Sequence, residues 1–249
     1  MLRKNFALFA LFVLSLVTLA SCAFKAAPAE TTAFLDGPQE LDKDSERYPF
    51  HEVWISESYL KRRAHYDKLI LKPVNLEFLF KTEDWKHVEV FSNDDIKEEA
   101  TKLGGYLLEA FNRAFDSEEN TRYRLVDVPD SKTLALEVAI VELVPTDVVR
   151  NAAGNVIGFL VPGGGLVSAG SGGVIATEGI MTDALTGEVL AKFKDRESAK
   201  IRPVDVAGLS AFSFARETID DWAYQSMKLF NTPVNKNVSD SSAVTLAPW

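Results

Sequence analysis

One cysteine stands in the 249 residues, at position 22, and that placement limits every way this chain can hold itself together. Arg3 and Lys4 open the chain with positive charge. Phe6 to Ala20 follows as an uncharged, almost wholly apolar run, and the small residues Ala20 and Ser21 precede Cys22. A basic start, a short apolar core and small residues at a cut site are the plan of a secretion signal. The run is too short for the roughly 20 apolar residues that cross a bilayer. Residues 1–21 are therefore read as a signal peptide. Whatever follows has no second cysteine for an intramolecular disulfide and no cysteine-based zinc site. It must rest on a hydrophobic core, which 47% hydrophobic residues can supply.

Leu19-Ala20-Ser21-Cys22 resembles the lipobox of bacterial lipoproteins. The resemblance implies cleavage before Cys22 and covalent lipid on its thiol and new amino group; no other cofactor is expected. Several acyl chains anchor stably where one is marginal, each buried CH₂ contributing roughly 0.8 kcal/mol. In such lipoproteins an aspartate after the cysteine retains the protein at the inner membrane. Ala23 stands there, which implies the outer membrane, facing the periplasm.

Residues 22–48, rich in Ala, Pro, Thr and charge, read as a lipidated tether. A single domain over 49–231 follows, and 232–249 reads as a loose polar tail. Tyr66–Val74 is a first strand, stopped by Pro73. Ser92-Asn-Asp-Asp95 is a helix start. Behind it Ile96, Ala100, Leu103, Leu107, Phe111 and Ala114 recur every three or four positions, one face of a helix. Tyr123–Val128 is a short strand. Thr133–Val144 is apolar at both alternating sets of positions, as in a central strand covered on both sides. Val174–Thr182 and Val189–Lys194 flank a turn in which Gly187 can take positive φ. A last helix within Val206–Phe230 carries Phe212, Ala215, Ile219, Trp222, Ala223, Met227 and Phe230 as its apolar stripe. The expected architecture is α+β: a mixed or mainly antiparallel sheet of about four to six strands with two packed amphipathic helices.

Net charge is −9, and the only basic cluster is Lys61-Arg62-Arg63. A nucleic-acid surface needs the opposite balance, so none is expected. His51, His65 and His87 lack metal-ligand spacing, and no metal site is expected. Ser168-Ala-Gly-Ser-Gly-Gly173 lacks the spacing of a nucleophile elbow. Glu178, Asp183, Glu188 and Asp195 are the carboxylates from which an acid–base pair would have to come, but strand alternation and turn chemistry account for them. No catalytic residue is assigned. Asn151 to Thr177 carries no charge at all and is rich in glycine. It is either a loop or a hairpin meeting a partner or the membrane through Val156, Ile157, Phe159, Leu160, Val161, Leu166 and Val167.

Phe34-Leu35, Glu46-Arg47-x-Pro49-Phe50-x-x-x-Trp54, Tyr66-Asp-Lys-Leu69, Pro73-Val74, Asp183-x-x-Thr186-Gly187-Glu188 and Trp222-Ala223 occur in that order. Together they resemble a family of uncharacterised bacterial lipoproteins, domain of unknown function 3313. That resemblance implies a lipid-anchored envelope protein with no established activity. The strand–helix–strand plan is also loosely similar to small outer-membrane lipoproteins that assemble envelope machinery, including curli-secretion-type subunits. The expectation is a non-enzymatic, lipid-anchored periplasmic module that binds an envelope protein or component. Two alternatives stand beside it: an oligomeric secretion or pore component using 151–177, and a cell-wall enzyme using the hairpin carboxylates.

Overall fold

The computed structural model describes residues 27–37, 39–43, 47–81, 93–144, 172–200 and 212–241. Its elements are β1 Glu52–Ile55, α1 Glu57–Arg62, β2 Lys68–Leu71, α2 Glu77–Lys81, α3 Asn93–Phe115, β3 Arg124–Leu125, β4 Thr133–Val144, β5 Gly172–Asp183, β6 Val189–Ala199 and α4 Ser213–Asn231. The six strands form one sheet in the order β1-β6-β5-β4-β2-β3. β2 runs parallel to both β3 and β4, and the other pairings are antiparallel. The expected α+β architecture with a mixed sheet and two long helices is the one found.

The long strands β4, β5 and β6 pair along most of their length, in register Val138↔Gly179↔Phe193 at the centre. The turn between β5 and β6 closes through Gly187 at φ +72, a conformation glycine reaches without Cβ strain. Asp183 secures that turn: its Oδ1 accepts the Leu185 and Thr186 amides at 3.0 and 2.9 Å.

One face of the sheet carries the main core. Leu103, Leu107 and Phe111 of α3, and Ala215, Ile219, Trp222 and Met227 of α4, lie buried against Leu134, Leu136, Ile140 and Ile175. The two helices join at their exposed sides through Asp220, which accepts from the Tyr106 hydroxyl at 2.7 Å and from Arg113 at 2.9 Å.

The second face is covered too, but not by a helix layer. Ala139, Val141 and Ala176 pack there under Ala29, Phe34 and Phe78, the last from α2. This corrects the expected tether. Over its described residues the segment 22–48 lies along the sheet: Leu35 is buried, and Asp42 exchanges backbone hydrogen bonds with Val53 of edge strand β1 at 2.8 and 2.9 Å. The physical reason is a row of hydrogen-bonding side chains on β5 and β6 that requires covering. The expected loose tail is also corrected over 232–241. Val238 is buried, its amide donates to Arg47 O, and Gln225 Nε2 donates to Asp240 Oδ1 at 2.9 Å.

Candidate functional site

Strand β6 alternates between two chemistries. Phe193 and Asp195 point to the helices, while Lys192, Lys194 and Arg196 point to the N-terminal segment. All three cations are buried, which is unfavourable unless they are partnered. Lys192 Nζ donates to Leu35 O, Asp36 O and Gln39 Oε1 at 2.8, 2.9 and 2.9 Å. Burial pulls its pKa below the ordinary lysine value, against the opposing field of Asp36. Lys194 Nζ donates to Ala29 O and to the Thr31 hydroxyl, and pairs with Glu52 at 3.2 Å. Arg196 holds Glu142 through two bonds of 2.7 and 2.9 Å and donates to Ala27 O. Glu178 completes the row from β5, accepting the Thr32 amide at 2.7 Å and its hydroxyl at 2.5 Å. Burial pushes the Glu178 carboxyl above its usual range, the Thr32 bonds opposing. The row thus works as a latch that fastens residues 27–39 to the sheet.

On the helix side, a cavity of about 270 Å³ opens between strands β1 and β6, the C-terminal half of α4 and the chain beyond it. Phe50, Val53, Ile55, Leu136, Met181 and Phe193 supply apolar wall, and Leu229 and Phe230 close it from α4. Phe193 is set by stacking on Phe50 at a centroid distance of 4.6 Å, over the place where Gly179 has no side chain. Ser226 also lines the cavity. It is buried, and its hydroxyl has no hydrogen-bond partner among the described residues. Arg47, Arg63 and Lys236 are cationic members of the lining.

The four hairpin carboxylates do not gather at one place; only Asp183 and Glu188 come together, on Arg62. Glu178 faces the N-terminal segment. Asp195 faces the helices, where it accepts from Trp222 Nε1. Asp183 accepts the Tyr66 hydroxyl at 2.8 Å beside Arg62, and Glu188 pairs with that same arginine. Burial, then the bond to Asp183, raises the Tyr66 phenol to about 12. His51 is held by Asp195, and His65 meets the Ser131 carbonyl at 2.7 Å. His87 lies outside the described residues. Among the described residues no three His, Cys, Asp or Glu side chains are grouped to hold a metal ion, and no helix is long and apolar enough to cross a membrane.

Cys22 and the contact residues proposed from the sequence, Val156, Ile157, Phe159, Leu160, Val161, Leu166 and Val167, lie outside the described residues. Of the uncharged segment only 172–177 is described, as the first half of β5. The latch escaped the sequence reading, although Lys192-x-Lys194-x-Arg196 is a visible alternation of cations. The cavity left no such trace, because its walls come from positions 42 to 236.

The fold defines an α+β domain with one mixed sheet, two long helices on one face and an N-terminal strap on the other. The chain belongs to the family of proteins of unknown function DUF3313, which matches residues 35–226. No curated protein matches it. Among solved structures it is similar to the PelC dodecamer from Paraburkholderia phytofirmans, at 11% identity over 65% of this chain and 89% of that one, with a TM-score of 0.32. It is similar to the hypothetical protein CT253 from Chlamydia trachomatis at 7% identity, over 66% of this chain and 98% of that one, with a TM-score of 0.36. Protein XCC0632 from Xanthomonas campestris, of family DUF330, gives 10% identity, 67% and 85% coverage and a TM-score of 0.30. At these scores the likeness carries no statement about activity or assembly.

Proposed function

We propose that this chain is a lipid-anchored lipoprotein of the cell envelope, held at the outer membrane through Cys22, whose periplasmic domain binds an envelope protein or component without catalysis. The observation that carries the reading is the latch. Arg196 holds the carbonyl of Ala27, only five positions beyond Cys22. Five residues span at most roughly 18 Å. A lipid on Cys22 therefore keeps one end of the sheet close to the membrane surface, instead of leaving the domain on a long swivel. Such a mounting suits a module that presents a fixed face to a partner. The engagement of Glu178, Asp195 and the Arg62-bound Asp183 and Glu188 in three different structural contacts supports a binding role over a hydrolytic one.

The test is fractionation and crosslinking of the Cys22→Ser chain beside the native one. The native chain is expected in the membrane fraction with a reproducible crosslinked partner; the variant is expected in the soluble periplasmic fraction. A variant that stays membrane-bound overturns the anchor, and absence of any partner under several crosslinkers overturns the binding role.

A second reading, a secretion or pore component, is favoured by one further observation. β4 ends at Val144 and β5 begins at Gly172, at the same end of the sheet as the Glu142–Arg196 pair and Ala27. Both strand ends from which the uncharged segment departs are thus on the side of Ala27, the described residue of the strap closest in sequence to the proposed anchor. Removing Gly158 to Gly170 separates the readings: loss of a ring-shaped assembly in electron micrographs supports the pore component, and a native chain that is strictly monomeric dismisses it.

A further inference from the structure

From the cavity beside α4 we infer a binding site for a single-chain amphiphile with an anionic head, of the size and charge of a medium-chain carboxylate. Three independent features converge there. The wall is apolar: Phe50, Val53, Leu136, Met181 and Phe193 offer no hydrogen bonds to a polar guest. The volume of about 270 Å³ sets the size. At the ~30 Å³ that a water-sized unit occupies, it accepts a chain of about nine or ten heavy atoms. The charge in the lining sets the head group. Arg47 donates to the Val234 carbonyl, and Arg63 donates to the carbonyls of Phe230 and Thr232. Lys236 is exposed. None of these three cations forms an ion pair with a carboxylate among the described residues, although the chain as a whole has net charge −9. Lys192 also lines the cavity, but its ammonium is taken by the latch on the opposite face, and among the described residues Asp42 is the only acid of the lining.

Ser226 adds a point of polarity. The residue is 1% exposed and its hydroxyl has no partner among the described residues. A buried hydroxyl without a partner is costly, and an oxygen of a bound molecule relieves it. An apolar cavity with one donor and a set of cations that are unpaired among the described residues matches a guest with a hydrocarbon body and an oxygen-bearing, negative end. The inference stands on the described residues alone, and is independent of lipid on Cys22.

The probe is decanoate bearing a terminal diazirine, given to cells producing the full chain, which is then irradiated, purified and mapped by peptide mass spectrometry. Labelled peptides are expected to carry Phe50–Ile55 and Leu229–Lys236. Excess decanoate should erase the labelling and decyltrimethylammonium should not. Lys236→Glu, at an exposed residue of the lining, should weaken labelling about fivefold, the effect of reversing one solvent-exposed charge. Ala191→Phe, which fills the cavity, should remove it while the melting temperature shows that the domain still folds. Labelling scattered over the surface, or undiminished in a folded Ala191→Phe chain, overturns the site. Equal competition by the cationic amphiphile, or full labelling in Lys236→Glu, overturns the anionic head group even where Ala191→Phe does not fold.

Discussion

Trp222 Nε1 donates to Asp195 Oδ2 at 2.8 Å, joining the last helix to strand β6 inside the core. The other carboxylate oxygen accepts the His51 amide at 3.0 Å and lies against the His51 ring. A single buried carboxylate therefore ties together α4, β6 and the entry to edge strand β1. Asp195→Ala strands the indole N–H and the His51 amide, each costing about 1–3 kcal/mol when buried without a partner. A loss of about 2–5 kcal/mol is expected, and a smaller one for Asp195→Asn, whose amide oxygen still accepts. Urea unfolding followed by tryptophan fluorescence checks both; equal losses would mean that packing, not these hydrogen bonds, sets the effect.

Gly179 is expected to tolerate no side chain. A Cβ there would stand 2.1 Å from Cε1 of Phe193, whose ring is pinned by its stack on Phe50. Gly179→Ala should destabilise by about 1–3 kcal/mol through overpacking. The loss should shrink when Phe193→Leu opens the space. A double-mutant cycle by thermal unfolding measures the coupling, and additive effects would count against it.

The latch predicts a stability that falls with rising pH. Burial holds the Glu178 carboxyl above its ordinary value of 4.5, so the folded chain binds a proton that the unfolded chain has released. Stability linked to this group is full below 4.5 and declines as pH rises through the raised folded value. Glu178→Gln should flatten that slope. Thr32→Val, which removes the hydroxyl donor, should cost about 1–3 kcal/mol and speed proteolysis of residues 27–43. Hydrogen exchange at the Thr32 amide reads the same opening directly.

Tyr66 and Asp183 carry pH dependence of the opposite sign at the acid end. Burial alone would raise the Asp183 carboxyl; the Thr186 and Leu185 amides and the Tyr66 hydroxyl outweigh it and hold it below its ordinary 3.8. That stability is present above 3.8 and is lost as pH falls through the depressed folded value. The Tyr66 phenol, raised from 10.0 to about 12, is an alkaline counterpart: its contribution is present below 10.0 and lost as pH climbs toward 12. Tyr66→Phe should weaken the domain by about 1–2 kcal/mol at neutral pH and make the alkaline slope shallower, the raised Tyr106 and Tyr123 phenols keeping the remainder. Melting curves from pH 3 to 12 test both limbs.

Much of the α+β plan was legible because periodicity reports which face is buried. The spacing of Ala100, Leu103, Leu107 and Phe111 marks the core side of α3, and Ala215, Ile219, Trp222 and Met227 mark that of α4. Thr133–Val144 is a strand over the very residues expected, covered on both faces. Gly187 turns the hairpin at positive φ. The candidate site was not legible. Leu136 of β4, Phe193 of β6 and Leu229 of α4 each look like ordinary core residues, and the cavity is formed only where these distant elements meet.

By itself the sequence determined the elements with strong local signals, the family resemblance, the lack of a disulfide and the lipobox-like placement of Cys22. Only the tertiary structure decided the fate of the charges. Lys192, Lys194 and Arg196 alternate with Phe193 and Asp195, a pattern that in isolation describes a strand with one face in water. In the fold these cations are buried, because carbonyls from residues 27–36, up to 169 positions away in the chain, take the place of solvent. A hydrogen bond between such distant positions leaves no periodic trace in either segment. The strap, the latch and the cavity therefore emerge only when the chain is closed.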